Sequence, residues 1–320
     1  QCSSWSFSSS SGEFYAPLFW IFLFLGMNYF IVSRGVSDGI ERASNILMPL
    51  LFVILIAFCV RSLFLPGAKE GLSFLFHPDF SKIDSGVVLR AMGQAFFSLS
   101  LGMGTLITYA SYFSDKTSLP KTAVTVASLD TFVAVLAGVI IFPAVFSFGI
   151  SPSQGPELIF ITLPNVFQQI PGAYIWSVLF FVLITVAALT STISLCEVAI
   201  AFLHEEFHFT RRRASQILIF ICLVMSTLCS LSFGPLSDFY ILGFSIFNFC
   251  DFLASNILLP AGGMLISIFV GWKLDRQFIK EELSNHGVSR VWYFGILMFC
   301  MRFVAPVAIF LIFLSGLGLF

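Results

Sequence analysis

Charged side chains are scarce in this sequence. Asp, Glu, Lys and Arg make up 10% of its 320 residues, the formal net charge is −1, and there are four histidines. A soluble globular domain carries about 25% charged residues, so a water-facing surface of ordinary size has too few groups to cover it. No basic stretch interleaved with aromatics is present, which argues against nucleic acid as a partner. The seven cysteines (Cys2, Cys59, Cys196, Cys222, Cys229, Cys250 and Cys300) show no paired metal-ligand spacing. Six lie within or at the ends of apolar runs and read as small buried residues, with Cys2 the one expected at the surface. Pro/Ser/Gly linkers and low-complexity tracts are lacking too, so no appended soluble domain is expected. Gln1 rather than Met opens the sequence, and neither a signal peptide nor a targeting segment precedes the first apolar run. The expectation is that the chain lacks its natural beginning.

What the sequence does hold is apolar bulk. Hydrophobic residues make up 58% of it, 41 residues are Phe, and the mean hydropathy is +0.97. Eight runs are long enough to cross about 30 Å of hydrocarbon, near 14–33, 46–65, 88–112, 121–148, 175–203, 215–233, 246–270 and 291–318. This predicts an all-α integral membrane fold of about eight transmembrane helices.

Charge placement sets an orientation. Alternate connections hold Arg34, Arg42, Lys116, Lys121, Arg211, Arg212, Arg213, Lys273, Arg276, Lys280 and Arg290. The opposite set holds Arg61, Lys69, Lys82 and Arg90, while Arg302 falls within the last run. By the positive-inside rule the richer set is cytoplasmic and both termini face outside. Three long connections stand out. Residues 66–87 lie outside. Residues 149–174, semi-apolar and bounded by Pro156 and Pro164, are expected to fold down as a lid. Residues 271–290, inside, are expected to hold a short surface helix over Lys273–Leu283.

The run 88–112 carries an interruption, Ser98-Leu99-Ser100-Leu101-Gly102-Met103-Gly104. Two glycines and two serines at half-depth break a helix. Broken backbone inside a bilayer is tolerated only where it lines a cavity and finds polar partners there. The pattern therefore points to a carrier with a binding site at mid-membrane.

The stretches Arg34-Gly35-Val36-Ser37-Asp38-Gly39-Ile40-Glu41-Arg42 and Gly93-Gln94-Ala95-Phe96-Phe97, running on through Gly104 to Tyr112, resemble the neurotransmitter:sodium symporters. Phe160-Ile161-Thr162-Leu163-Pro164 and Leu189-Thr190-Ser191 follow in matching order. The resemblance implies spans four to eleven of the inverted-repeat leucine-transporter fold, with a discontinuous helix near 98–104. On that reading residues 1–320 form a single membrane domain that is a fragment. Residues 14–65 are a remnant of the first repeat, 88–270 the second inverted repeat, and 291–318 an extra C-terminal span. The N-terminal helices that complete the site would be absent, leaving the chain inactive alone.

The same resemblance implies function and site. The function is sodium-coupled symport of a small hydrophobic L-amino acid across the cytoplasmic membrane, with two sodium sites and no organic cofactor; the chain is no enzyme. One sodium would sit on the Ala187 carbonyl with the Thr190 and Ser191 hydroxyls, the other on Ser98 and Asp130. Hard cations take oxygen ligands, and carbonyls with hydroxyls supply them without burying several charges. Hydroxyls in membrane helices also bond back to their own carbonyls, the reading given to Thr185, Thr192 and Ser194. Asp130 stands where the family's type case has Asn, and Ala134, one turn on, where it has Glu. An ionised Asp130 would replace the chloride that some members recruit; a protonated, helix-bonded Asp130 is the alternative. Phe97, Ser98, Ser100, Met103, Ser191 and Leu195 would hold the amino acid, with Phe97 capping it and Met103 adapting to apolar side chains. Gln94 and Asp251 would form the outer gate, Tyr112 and Glu205 the inner one, although Glu205 also reads as an ordinary helix end. Glu197 receives no role, and Arg302 only packing or interfacial pairing.

Two other classes compete. His204-Glu205-Glu206-Phe207-His208 satisfies H-E-x-x-H, the motif of zinc proteases, which needs both histidines on one helical face. A non-transporting amino-acid sensor is the third reading.

Overall fold

A computed structural model describes residues 15–77, 79–114, 116–149, 172–285, 287 and 291–318. The expected lid around Phe160–Pro164, and Cys2, His286 and Arg290, lie outside the described residues. The elements are α1 (Tyr15–Val32), α2 (Val36–Leu63), α3 (Ala68–Phe76), α4 (Ser85–Ser98), α5 (Thr105–Ala110), α6 (Leu119–Ser147), α7 (Ala173–Glu205) and α8 (Arg211–Leu231). They continue with α9 (Ile246–Lys273), α10 (Arg276–Leu283) and α11 (Phe294–Gly316).

Among the described residues six helices, α2, α6, α7, α8, α9 and α11, are long and apolar enough to cross a bilayer, and Ala16–Val32 is a shorter apolar helix. Helices follow from the composition, because backbone in lipid satisfies its own donors and acceptors only within a helix or a closed barrel. The predicted run at 88–112 is not one rod: it divides into α4 and α5. The chain forms two compact units, one from residues 1–41, 89–118 and 192–320, the other from 42–88 and 119–191.

In the second unit, α2, α3 and α6 pack around Ile54, Leu55, Phe58, Ile140, Ala144 and Phe180. Pro143 lies inside α6 and has no N–H to give to the Val139 carbonyl. The Ser62 hydroxyl of α2 donates to that carbonyl at 2.9 Å instead. The sequence reads 66–87 only as a connection, yet α3 lies flat against α6. Its Gly71 meets the Pro143 backbone where a Cβ would collide, and the Gly67 N–H donates to Ser147 Oγ at 2.8 Å. Small residues allow that approach, and packing of this kind holds helices together in lipid.

In the first unit, α1 packs on α8 and α9 packs on α11. Asn28 of α1 is fully buried. Its amide donates to the Phe24 carbonyl at 2.9 Å, and its carbonyl oxygen accepts from Thr192 Oγ1 at 2.8 Å. A two-residue hairpin pairs Tyr240 with Ser245 and Ile241 with Phe244. Its turn residues Leu242 and Gly243 both take positive φ, as a type I′ turn requires. The surface helix expected from Lys273 begins at Arg276 instead, because Asp275 caps it by accepting from the Gln277 N–H at 3.1 Å.

Candidate functional site

The interruption is present where the sequence places it. The regular ladder of α4 lapses after Leu99, whose N–H still reaches Ala95 O at 3.1 Å: Leu101 N–H reaches back to Phe96 O at 3.1 Å, and Met103 N–H to Ser100 O at 3.4 Å. Ser100 (φ 53°), Gly102 (φ 93°) and Gly104 (φ 78°) all lie in the left-handed region. Glycine enters that region without steric cost and serine does so rarely. The helix resumes at Thr105 after Gly104. Ser100, Gly102 and Gly104 line a cavity of about 280 Å³ with residues of α9 and α11. Thr105 Oγ1 is buried, with no hydrogen-bond partner among the described residues.

The expected substrate residues divide between the break and α7. Phe97 and Ser98 are exposed at the end of α4, while Ser100 and Met103 are half-buried within the break. On α7, Ala187, Ser191 and Leu195 recur at i, i+4 and i+8, and all three are exposed. They therefore share one open face. Thr190 is buried beside that face. Its hydroxyl lies 3.1 Å from the Val186 carbonyl and 2.9 Å from that of Ala187. Asp130 is half-buried in the middle of α6, in the second unit, whereas Ser98 belongs to the first.

Asp251 is exposed near the start of α9 and accepts from Ser255 Oγ at 3.4 Å; Gln94 is exposed on α4. On the expected inner side the structure adds a partner that sequence reasoning missed. Tyr112 donates its hydroxyl proton to Glu197 Oε1 at 2.7 Å. Glu205, the acid expected there, is exposed at the last residue of α7. Glu197 is fully buried and also takes both terminal nitrogens of Arg211, the first residue of α8. Arg211 Nε donates to the Val32 carbonyl at 3.0 Å. An isolated charge inside a bilayer is costly, so Glu197 alone should have signalled a partner; the partner's identity was hidden fourteen residues away, past a helix end.

Arg302, the other unexplained charge, donates from Nε to the Gly271 carbonyl. Its guanidinium stands 5.9 Å from the Trp272 ring centroid, and the Trp272 indole N–H donates back to the Arg302 carbonyl at 3.3 Å. Both carbonyls lie in wide π turns, Phe269–Lys273 and Cys300–Val304, where the normal helical donor is displaced.

The zinc-protease alternative fails on geometry. The motif needs a helix running through both histidines, but α7 ends at Glu205 and His208 takes a left-handed φ of 54°. The His204 ring nitrogen Nδ1 bonds to the Phe209 carbonyl at 2.7 Å. No group of three or more metal-binding side chains converges among the described residues.

A sequence profile of the sodium:neurotransmitter symporter family matches residues 7–320. YhdH, a sodium-dependent transporter of Bacillus subtilis, is 37% identical over 297 residues, covering 93% of this chain and 66% of its own length. A sodium-dependent transporter of Haemophilus influenzae is 39% identical over 307 residues, covering 95% of this chain and 66% of its own. The chain therefore spans just under two thirds of these relatives. The structure of MhsT in complex with L-phenylalanine superposes with a TM-score of 0.82 at 47% identity, over 94% of this chain and 68% of that one. These relatives are transporters rather than enzymes, and the superposition carries the leucine-transporter fold with it. With its interrupted helix, its membrane-length helices and a profile match along nearly all its length, this chain belongs to the sodium:neurotransmitter symporter family.

Proposed function

We propose that the protein containing this chain couples the entry of a hydrophobic L-amino acid to sodium across the cytoplasmic membrane. The observation that carries the reading is the interruption at Ser98–Gly104, with three consecutive alternate residues at positive φ. Backbone bent this way turns carbonyls and N–H groups away from the helix ladder, where they can meet an ammonium group, a carboxylate and a cation. The amino-acid class is drawn from MhsT, whose structure holds L-phenylalanine.

In this reading Phe97, Ser98, Ser100 and Met103 form one wall of the substrate site, and Ser191 and Leu195 contribute from the open face of α7. One sodium binds the Ala187 carbonyl with Thr190 and Ser191. The second binds Ser98 and Asp130, whose carboxylate supplies the negative charge and makes chloride unnecessary. The first ion favours the outward-facing, substrate-ready state; substrate and the second ion permit closure over Phe97; loss of the first ion opens the inside. Gln94 and Asp251 act at the outer gate, and Tyr112 and Glu205 at the inner one. Residues 88–270 form the second repeat, 14–65 part of the first, and 291–318 the additional span. Helices beyond this chain complete the site.

The test is uptake of radiolabelled L-phenylalanine by the full-length protein in proteoliposomes, with an inward sodium gradient and with potassium replacing sodium. Sodium-driven accumulation is expected. Sodium-dependent binding without accumulation would identify a sensor, and neither would remove the reading altogether.

A further inference from the structure

The helix break does not hold its shape alone. Its middle residue, Gly102, rests on α9 where that helix carries the dipeptide Gly262-Gly263. A Cβ on Gly102 would collide with the Leu259 carbonyl and stand 2.8 Å from the Gly263 nitrogen. A Cβ on Gly262 would stand 2.5 Å from the Gly102 carbonyl oxygen. A Cβ on Gly263 would run into the ring of Phe96, with Cε2 at 2.9 Å. Phe96 is the last buried side chain before the break and packs with Leu259 and Ile309. Three glycines thus bring two backbones into direct contact at the one place where α4 stops being helical. Interiors are close-packed, and a displaced backbone atom shifts its neighbours rather than compressing them.

We infer that Gly262 and Gly263 of α9 are positioning residues for the substrate site: they form a notch that receives the Gly102 peptide and the Phe96 ring, and so set where the unwound carbonyls point. The inference rests on the proposed transport function for its consequence, while the notch itself is geometry. The two glycines oppose different things. Gly262 faces a backbone carbonyl, which cannot step aside without moving the break. Gly263 faces an aromatic ring, which a smaller side chain would relieve.

The experiment uses the full-length protein in proteoliposomes with Gly262→Ala, Gly263→Ala, the double variant Gly263→Ala/Phe96→Leu, and Gly295→Ala as control, since a Cβ there meets nothing within 4 Å. Two readouts are taken: amide hydrogen exchange over residues 96–105, and KM against kcat for sodium-driven L-phenylalanine uptake. Gly262→Ala and Gly263→Ala are expected to speed exchange at 98–104 and raise KM, each by about tenfold, with exchange in α8 unchanged. Phe96→Leu is expected to restore the Gly263→Ala variant, and Gly295→Ala to match wild type. Wild-type exchange at 98–104 in both alanine variants overturns the inference. So does a loss of protection that extends equally into α8, or a double variant no better than Gly263→Ala. If Gly262→Ala does not fold, the Gly263→Ala and double-variant pair decides. Should wild type accumulate no L-phenylalanine, the transport reading fails, and the exchange comparison still decides the notch.

Discussion

Arg211 binds Glu197 as a two-point clamp: Nη1 donates to Oε1 at 3.0 Å and Nη2 donates to Oε2. The third guanidinium nitrogen in use, Nε, holds the Val32 carbonyl at the last residue of α1. Tyr112, just beyond α5, adds a hydrogen bond to the same carboxylate. One buried acid thus ties α7, α8, the end of α1 and the turn after α5 into a single polar junction.

Removing one member of this junction should be worse than removing both charges. Glu197→Ala strands Arg211, and breaking a buried pair costs about 3–5 kcal/mol. The apparent Tm of the detergent-solubilised full-length protein is expected to fall clearly. Arg211→Ala should fall at least as far, because Glu197 is the fully buried partner. Glu197→Gln with Arg211→Met is expected to recover part of the loss. A thermal melt series checks the order; equal melting of Glu197→Ala and wild type would show that the clamp stabilises nothing.

Thr190 and Ser191 test the proposed sodium site. Replacing Thr190 with Val keeps its shape and removes the hydroxyl; Ser191→Ala does the same on the open face of α7. Each is expected to raise the sodium concentration for half-maximal L-phenylalanine uptake by about tenfold or more, equivalent to 1.4 kcal/mol. Thr185→Val is the control, since Thr185, bonded back to the Phe181 carbonyl at 2.7 Å, lies outside the proposed ligand set. A sodium titration of uptake distinguishes the three, and identical curves would dismiss the ligand set.

The proposed role of Asp130 predicts the anion requirement. Wild-type uptake should be unchanged when gluconate replaces chloride. Asp130→Asn removes the carboxylate and is expected to transport only when chloride is supplied, or to lose sodium dependence altogether. Equal uptake by wild type and Asp130→Asn in chloride-free buffer would end the idea.

Arg302 is expected to be structural. Arg302→Leu leaves the Gly271 carbonyl unsatisfied and removes the guanidinium from the Trp272 ring, an expected loss of about 1–3 kcal/mol. Arg302→Lys retains charge but not the planar donor and should recover only part of it. Melting temperatures of the three forms, with sodium affinity measured in parallel, separate this role from one in transport: KM for sodium should stay at the wild-type value.

The connection after α9 shows how far local signals reach. Asp275 caps α10 as N-cap chemistry predicts, and the sequence misplaced the helix start by only three residues. His204-x-x-x-His208 shows the opposite. The spacing is right for a metal pair, but spacing has meaning only on a continuous helix, and α7 ends between the two histidines. Nothing in the letters at 205–208 announces that end. Glu197 and Arg211 are separated by a helix terminus and a turn of undetermined angle, so no periodicity relates them.

By itself the sequence determined a set of apolar runs that contains the six membrane-length helices, because apolar runs in lipid have no other way to satisfy their backbones. It also determined where one of them breaks, because Gly102 and Gly104 carry the left-handed φ values that the break needs. Only the tertiary structure decided which helix presses on the break, which cation answers the buried Glu197, and which carbonyl Ser62 serves after Pro143. Those pairings depend on helix rotation and crossing distance, and a chain of nearly uniform hydrophobicity encodes them in side-chain shape rather than in any repeating pattern.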